Sequence, residues 1–493
     1  MRQIHLEPPQ IEGQTATFRW RVEPESALYH RTHFTLRFPP AVDLARVPER
    51  LWWDVFLICL HPHWLLLRPC RIHLPLRLGA AERAFWLQHL ENGMDTLAVY
   101  GPQQYRGQPL DIEIVDGDRE IPRAPVAGNG CAAAFSGGKD SLLQAALLSE
   151  LTEHPVLVAT TAPMPGTADH ETARRREVFA AIQARRPVRF VEAESDFRAC
   201  WNQGFAGTLG YRAGLNELTD TFLYLASTLV AGAAMGAPRI FVASECEVQD
   251  NGVIGGKIVQ HLHFMYSAAT QRALSRLLEP YGMRYGSLTW PLYSSHVQHL
   301  LWSRYPDLSD LQYSCWLVAK DEAMCSRCRQ CLRLAVVALA AGFDPRRMGL
   351  DLEKLLKFAD EWKVTHVEPP AADALPSEIG SRRFQALTAD AIRRTSLLHL
   401  AFLLADRRPL RVLAPATLRA LAPFRRLKRR VRDVPPPPRI GVREGFCDWL
   451  DPELRERLVA IFRQHLPLEP RAEHSAIQER SAALTARAVA ALH

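Results

Sequence analysis

The stretch Cys131-Ala-Ala-Ala-Phe-Ser136-Gly137-Gly138-Lys139-Asp140-Ser141-Leu-Leu-Gln constrains this chain more than any other. Small and apolar residues before Ser136 read as a buried strand, and the run from Ser141 through Leu148 reads as the helix that follows. Between them, two adjacent glycines, a lysine, an aspartate and two serines make a loop suited to phosphate. Glycines let the backbone approach the anion, successive N–H groups face it, and the helix start adds the positive end of its dipole. A Walker A loop is excluded. That sequence needs Gly-x-x-x-x-Gly-Lys-[Ser/Thr], whereas Asp140 follows the lysine here and Ala133 stands where the first glycine belongs.

At 493 residues the chain has the length of two or three domains and ample material for a large core. A hydrophobic content of 47% and a charged content of 23% are ordinary for a globular protein. The net charge of +7 permits contact with nucleic acid but does not argue for it. Four of the ten cysteines fall within residues 315–331. Residues 1–9 lack the apolar core of a signal peptide. The apolar stretch Leu51 to Leu67 carries Asp54, His61, Pro62 and His63, which makes it a poor membrane span. The expectation is a cytoplasmic, reducing location, with free thiols or metal ligands rather than disulfides.

Residues 1–125 read as a β-rich domain. Phe18, Trp20 and Val22 alternate with polar residues, as do Phe34, Leu36 and Phe38, then Ile72, Leu74, Leu76 and Leu78. One helix is expected around Ala81 to Leu90. Trp52, Trp53 and Trp64 read as core of a small sheet domain in preference to a binding platform. After a linker at 124–130, strands at 131–135, 155–160, 188–191 and 239–244 alternate with helices at 171–184 and 218–235. That alternation predicts a parallel, doubly wound α/β sheet over 126–345, with ligands at the carboxyl ends of its strands, where Ser136–Ser141 and Glu245 fall.

Ser314-Cys315-Trp316 is followed by Cys325-Ser-Arg-Cys328-Arg-Gln-Cys331-Leu-Arg333. Four thiolates at Cys315, Cys325, Cys328 and Cys331 are the complement of a closed tetrahedral zinc site, whose role is structural. An iron–sulfur cluster or unmetallated core thiols are the competing readings. Residues 346–493 read as helical, with helices expected at 352–362, over Arg382 to Leu404, and as a pair from Pro452 onward. The basic run Arg425 to Arg432, ahead of Pro435–Pro438, reads as a solvated helix face beside a rigid spacer, with contact to nucleic acid or an acidic partner as the lesser reading.

Ser136-Gly-Gly-Lys-Asp-Ser141 resembles the Ser-Gly-Gly-x-Asp-Ser signature of the PP-loop ATP pyrophosphatases, and a complete match over its six positions between strand and helix, all five specified residues included, outweighs a chance Gly-Gly turn. With the cysteine segment, the chain is similar to the 7-cyano-7-deazaguanine synthase family, QueC, over roughly 128–345. In that family the PP-loop opens the nucleotide domain, and Ser-Cys-[Trp/Tyr] with Cys-x-x-Cys-x-x-Cys closes it. Looser agreement covers Arg212 to Leu223 and Trp290-Pro-Leu292, with His170 and Glu177 standing where the family has a His and a helical Glu. The family's Tyr-Gly-Gln element is replaced by Thr160-Thr-Ala-Pro-Met-Pro-Gly166, and its Gly-x-x-x-x-Asp stretch by Ala243-Ser-Glu245-Cys-Glu247. Those regions shape the base pocket, so the departures bear on the substrate. The flanking regions 1–125 and 346–493 look like the layout of the QueC-like proteins of bacterial anti-phage operons, QatC of the Qat system among them.

The resemblance implies adenylation of a 7-carboxy-7-deazaguanine-like carboxylate by ATP, with Mg²⁺, followed by attack of an amine. An amine on a partner protein's N terminus gives a conjugate; ammonia gives an amide and then 7-cyano-7-deazaguanine. Ser136, Gly137, Gly138 and Ser141 are expected to hold the nucleotide, and Lys139 and Asp140 to carry the chemistry. Arg212 and Asn216 are candidate contacts to the deazapurine or its carboxylate, and Glu245 and Glu247 candidate ribose or metal contacts. A tRNA-thiolating PP-loop enzyme and a non-catalytic ATP-binding subunit remain the alternatives. No membrane partner is expected.

Overall fold

The computed structural model describes residues 1–100, 109–163, 170–208, 214–246, 252–254, 257–259, 268–313, 324–361, 376–434 and 441–469. The chain opens with strands β1 (Arg2–Leu6), β2 (Gln10–Glu12), β3 (Thr15–Glu23) and β4 (His33–Arg37). Helix α1 (Glu49–Leu67), strand β5 (Cys70–Leu76), helix α2 (Ala80–Tyr100) and strand β6 (Ile112–Arg119) follow. Alternation in β3 buries Ala16, Phe18, Trp20 and Val22 on one face. Two long helices thus stand where the sequence pattern predicts one short one. Every residue of α1 after Glu49 is buried, Trp52, Trp53 and Trp64 included, so the helix has no polar face for a 3.6-residue period to reveal.

Next come β7 (Cys131–Ala134), α3 (Lys139–Leu151), β8 (Val156–Thr161), α4 (His170–Gln183) and β9 (Arg189–Ser195). Helices α5 (Gln203–Thr208) and α6 (Gly214–Ala234) lead to β10 (Arg239–Phe241). A ribbon of β11 (Gly252–Ile254) and β12 (Lys257–Val259) precedes α7 (Ala268–Leu278), β13 (Arg284–Gly286) and α8 (Ser294–Ser303). The remaining helices are α9 (Arg329–Ala340), α10 (Leu352–Glu361), α11 (Pro376–Arg394), α12 (Leu397–Leu404), α13 (Pro415–Ala420), α14 (Ala422–Arg430) and α15 (Pro452–His465). The single helix expected over Arg382 to Leu404 is broken before Ser396, whose hydroxyl accepts the His399 N–H at 3.2 Å and caps α12. Pro435–Pro438 and the second helix expected after Pro467 lie outside the described residues.

Eleven strands form one sheet in the order β13-β10-β7-β8-β9-β4-β3-β1-β5-β6, with β2 paired to β3. From β13 to β9 every pairing is parallel. Strand β9 then pairs antiparallel with β4 at Leu36↔Ser195 and Arg37↔Glu194. The sheet therefore runs across the boundary expected near residue 125. A buried ionic knot ties the same regions together: Asp54 on α1, fully buried, accepts the Tyr281 hydroxyl at 2.5 Å and lies 3.4 Å from Arg123.

Helices cover both faces of the parallel strands. Ala132, Val156, Val158, Val191 and Ile240 point into a core shared with α1 and α6. Their neighbours Cys131, Ala133, Leu157 and Phe241 point into a second core with α3, α8 and α15. The small side chains of β7 match a close helix: a Cβ at Gly232 of α6 would sit 2.6 Å from Ile240 Cδ1 and 2.8 Å from the Ala237 carbonyl oxygen. A third core gathers Trp302 with residues of α9, α10, α11, α12 and α14. Among the described residues, none of the nine cysteines forms a disulfide, and no helix is long and apolar enough to cross a membrane.

Candidate functional site

Strand β7 lies in the middle of the parallel strands. The chain leaves it toward β8 and β9 on one side and reaches β10 and β13 on the other, so the direction of winding reverses between β7 and β10. A crevice for ligands forms outside the carboxyl ends of strands at such a point. The loops that emerge there carry Ser136–Ser141 and Glu245.

Gly137 adopts φ +80°, a left-handed conformation that favours glycine, and its carbonyl accepts the Tyr313 N–H at 2.8 Å. Gly138 is extended and begins α3 without a side-chain cap. The two serines stitch the loop's ends together. Their hydroxyl oxygens lie 3.2 Å apart, the Ser136 N–H donates to Ser141 Oγ at 3.3 Å, and the Ser141 hydroxyl donates to the Gly138 carbonyl at 3.0 Å. The first turn of a thirteen-residue helix thus opens onto this loop with its dipole unscreened by a capping side chain.

Lys139 is buried, and its ammonium donates to both carboxylate oxygens of Asp140, at 2.8 and 2.7 Å. It also forms an ion pair with Glu245, whose side chain is 14% exposed. One cation therefore sits between two carboxylates that are 105 positions apart in sequence. The placement of Glu245 is set by a knot of hydroxyls. The Ser244 N–H donates to Ser287 Oγ at 3.0 Å and to Thr289 Oγ1 at 3.1 Å. The same hydroxyls return to the Ser244 carbonyl at 3.3 and 2.9 Å. Gln144 of α3 accepts the Leu288 N–H at 3.2 Å, which links that knot to the helix of the phosphate loop. These residues escape sequence reasoning, because Ser287, Thr289 and Gln144 carry no motif.

The other candidates divide. Arg212, Glu247 and Cys315 lie outside the described residues. Asn216 is placed on α6 and His170 at the start of α4, by backbone only. Glu177 is exposed on α4 and pairs with Arg174 at 2.9 Å.

Cys325, Cys328 and Cys331 converge, with their sulfur atoms all within 4.8 Å of one another. The Cys325 and Cys331 sulfurs are 3.7 Å apart. Two thiolates bound tetrahedrally at ~2.3 Å from one zinc ion lie roughly 3.8 Å apart, so the spacing suits a metal. Cys328 caps α9 and its sulfur accepts the Cys331 N–H at 3.4 Å. Hydrogen bonds from the Cys331 thiol and backbone pull the Cys328 thiol down to about 5, against the burial that opposes them. A thiolate at a helix start is a ready ligand. The cluster can hold a metal ion.

Comparison of the chain with protein-family models, with curated proteins and with solved structures finds no match in any of the three.

Proposed function

We propose that this protein uses ATP to adenylate the carboxylate of a 7-deazaguanine and passes the acyl group to an amine, that of a partner protein's N terminus, in anti-phage defence. The observation that carries the reading is Lys139 held between Asp140 and Glu245, beside a glycine loop and a helix start, where the sheet's winding reverses. A carboxylate is a poor acylating agent, and a leaving group must be installed. Its oxygen attacks the α-phosphorus of ATP, the bond to the β-phosphate breaks, and pyrophosphate departs. The amine nitrogen then attacks the acyl carbonyl, AMP leaves with the C–O bonding pair, and the nitrogen loses a proton.

In this scheme the N–H groups of Gly137, Gly138 and the first turn of α3 bind the departing phosphates, with Ser136 and Ser141 fixing the loop. Lys139 offsets the charge developing on them. Asp140 and Glu245 are the carboxylates available to Mg²⁺, which would neutralise phosphate charge when bound. Cys325, Cys328 and Cys331, with Cys315 as fourth thiolate, would hold Zn²⁺ in a closed, structural site.

The test is pyrophosphate release from ATP in the presence of 7-carboxy-7-deazaguanine. Lys139→Ala and Asp140→Ala should abolish it, and release equal to the parent chain's would refute the assignment. Intact mass of co-expressed operon proteins decides the acceptor: an added deazaguanine acyl group supports conjugation, whereas free nitrile without any adduct overturns it.

A further inference from the structure

Ten cations and no carboxylate fall between Arg407 and Arg432. The whole chain carries +7, so these 26 residues hold +10 and all the others together −3. Elsewhere on the surface arginines are answered by acids, as Arg71 is by Glu113, Arg119 by Glu49, and Arg186 by Asp307. Within the segment some cations are committed to structure. Lys428 donates to the Arg393 and Thr395 carbonyls at the end of α11, both at 2.7 Å, Arg430 donates to the Ala359 carbonyl in α10 at 2.8 Å, and Arg407 pairs with Asp344. Arg408, Arg411, Arg419, Arg425, Arg429 and Arg432 are exposed, and among the described residues their side chains make no hydrogen bond or ion pair.

Helix α14 and the turn after it organise half of these. Phe424, Leu427 and Val431 are buried, which turns Arg425 and Arg429 of the helix and Arg432 of the following turn outward. Along the helix Arg425 and Arg429 are about 6 Å apart at 1.5 Å per residue. Like charges at this spacing repel one another and weaken the helix, a cost that a polyanion removes.

We propose that the exposed face of α14 binds the phosphate backbone of a nucleic acid, without reading its sequence. Backbone binding draws on arginine and lysine at phosphates, and a guanidinium grips a phosphate with two parallel hydrogen bonds. A protein partner fits less well, because protein interfaces centre on apolar and aromatic anchors, and the α14 anchors all face inward. An anionic bilayer takes inserted apolar side chains as well as charge. Leu410 and Leu413 are exposed in the turn before α13, which makes anionic vesicles the competing arm of the test.

The experiment uses the full chain and fluorescein-labelled single-stranded RNA and duplex DNA of about 20 nucleotides, read by anisotropy between about 50 and 200 mM salt. Binding should fall linearly in log–log form with salt. Arg425→Ala/Arg429→Ala/Arg432→Ala should reduce the magnitude of the slope by about one unit for each arginine–phosphate pair removed, for both probes alike. The same three sites changed to lysine should keep the slope. Arg71→Ala/Arg77→Ala/Arg119→Ala, which removes paired arginines elsewhere, should leave it unchanged. The inference is overturned by absence of salt-sensitive binding, by a triple α14 variant that binds like the parent, by an equal loss in the control triple, or by capture on phosphatidylserine vesicles with none on nucleic acid.

Discussion

Ser287→Ala and Thr289→Val should release the loop that presents Glu245 to Lys139, and the two changes together should do far more than their sum. Both hydroxyls contact the N–H and the carbonyl of Ser244, the residue immediately before Glu245. Ser244, Ser287 and Thr289 are 4%, 1% and 0% exposed, so water does not substitute for a missing hydroxyl. Either single change leaves the other hydroxyl in place and costs about 1 kcal/mol, the net worth of one hydrogen bond. The pair removes both hydroxyl partners of two buried backbone groups, at ~1–3 kcal/mol each, for roughly 2–6 kcal/mol in all. Taking the middle of that range, about 2 kcal/mol of coupling separates the double variant from additivity. The assay is native-state hydrogen exchange of the Ser244 amide, which reports local opening directly. Protection should fall about fivefold in each single variant and about a thousandfold in the double, since 1.4 kcal/mol is roughly a factor of ten. A double variant whose loss equals the product of the two singles would refute the redundancy. So would a Ser244 amide that exchanges at the parent rate in every variant.

Two further outcomes can be measured. On the proposed zinc reading, Cys328→Ser should lower bound zinc and soluble yield together, because it removes a thiolate ligand while the serine hydroxyl can still cap α9; full yield with no metal in the parent chain would remove the structural claim. His61 and His89 are buried among α1, α2 and α6, and His63, also on α1, is buried against Tyr29, Phe197 and Trp201; burial pushes His61 well down, His63 to about 3 and His89 to about 4. In the unfolded chain each takes a proton below about 6.5, whereas the folded chain does not until those lower values. Stability is complete above pH ~6.5 and is lost as pH falls, by roughly 1.4 kcal/mol per pH unit per histidine, or about 4 kcal/mol per unit for all three. His89→Phe should flatten the acid limb of an unfolding-versus-pH curve by about one proton, and an unchanged limb would show that these imidazoles are not held neutral.

Sequence exposes some of this fold and hides the rest for physical reasons. Strands β7, β8 and β10 are buried on both faces and so appear as short apolar runs between breakers, which can be read locally, whereas β9 buries one face and leaves Arg189 and Glu194 exposed. Helix α1 is buried as thoroughly but lacks a polar stripe, and nothing in its pattern separates it from a membrane-like or strand-like apolar run. The junction of β4 with β9 rests on pairs such as Leu36 with Ser195, joined over more than 150 positions, and no local signal encodes it. At the site the same division holds. The loop Ser136–Ser141 and the cysteine triad are local geometry, fixed by spacing, and are visible at once. The contact of Lys139 with Glu245 depends on two strands lying side by side, and the hydroxyls behind it are ordinary serine and threonine.

The phosphate loop and the cysteine segment are joined by more than their order in the chain. Gly137 at positive φ accepts the Tyr313 N–H, two positions before Cys315. The neighbouring Gln312 side chain accepts the Gln298 amide at 2.7 Å, which fixes the same turn to α8. Ser287 and Thr289, which set Glu245, lie in the loop between β13 and α8. Helix α8 packs in turn against α9, which Cys328 caps. The loop around Gly137 therefore leans on the segment that leads into the cysteines, and the loop around Glu245 on the residues that lead into α8. On the proposed reading, a metal held there would act on the site through the Tyr313–Gly137 backbone hydrogen bond and through the seat of α8. That separates the two metals in the scheme: loss of zinc should spread through Tyr313 and α8 to the geometry of the loop, whereas loss of Mg²⁺ should leave that geometry alone and remove only charge.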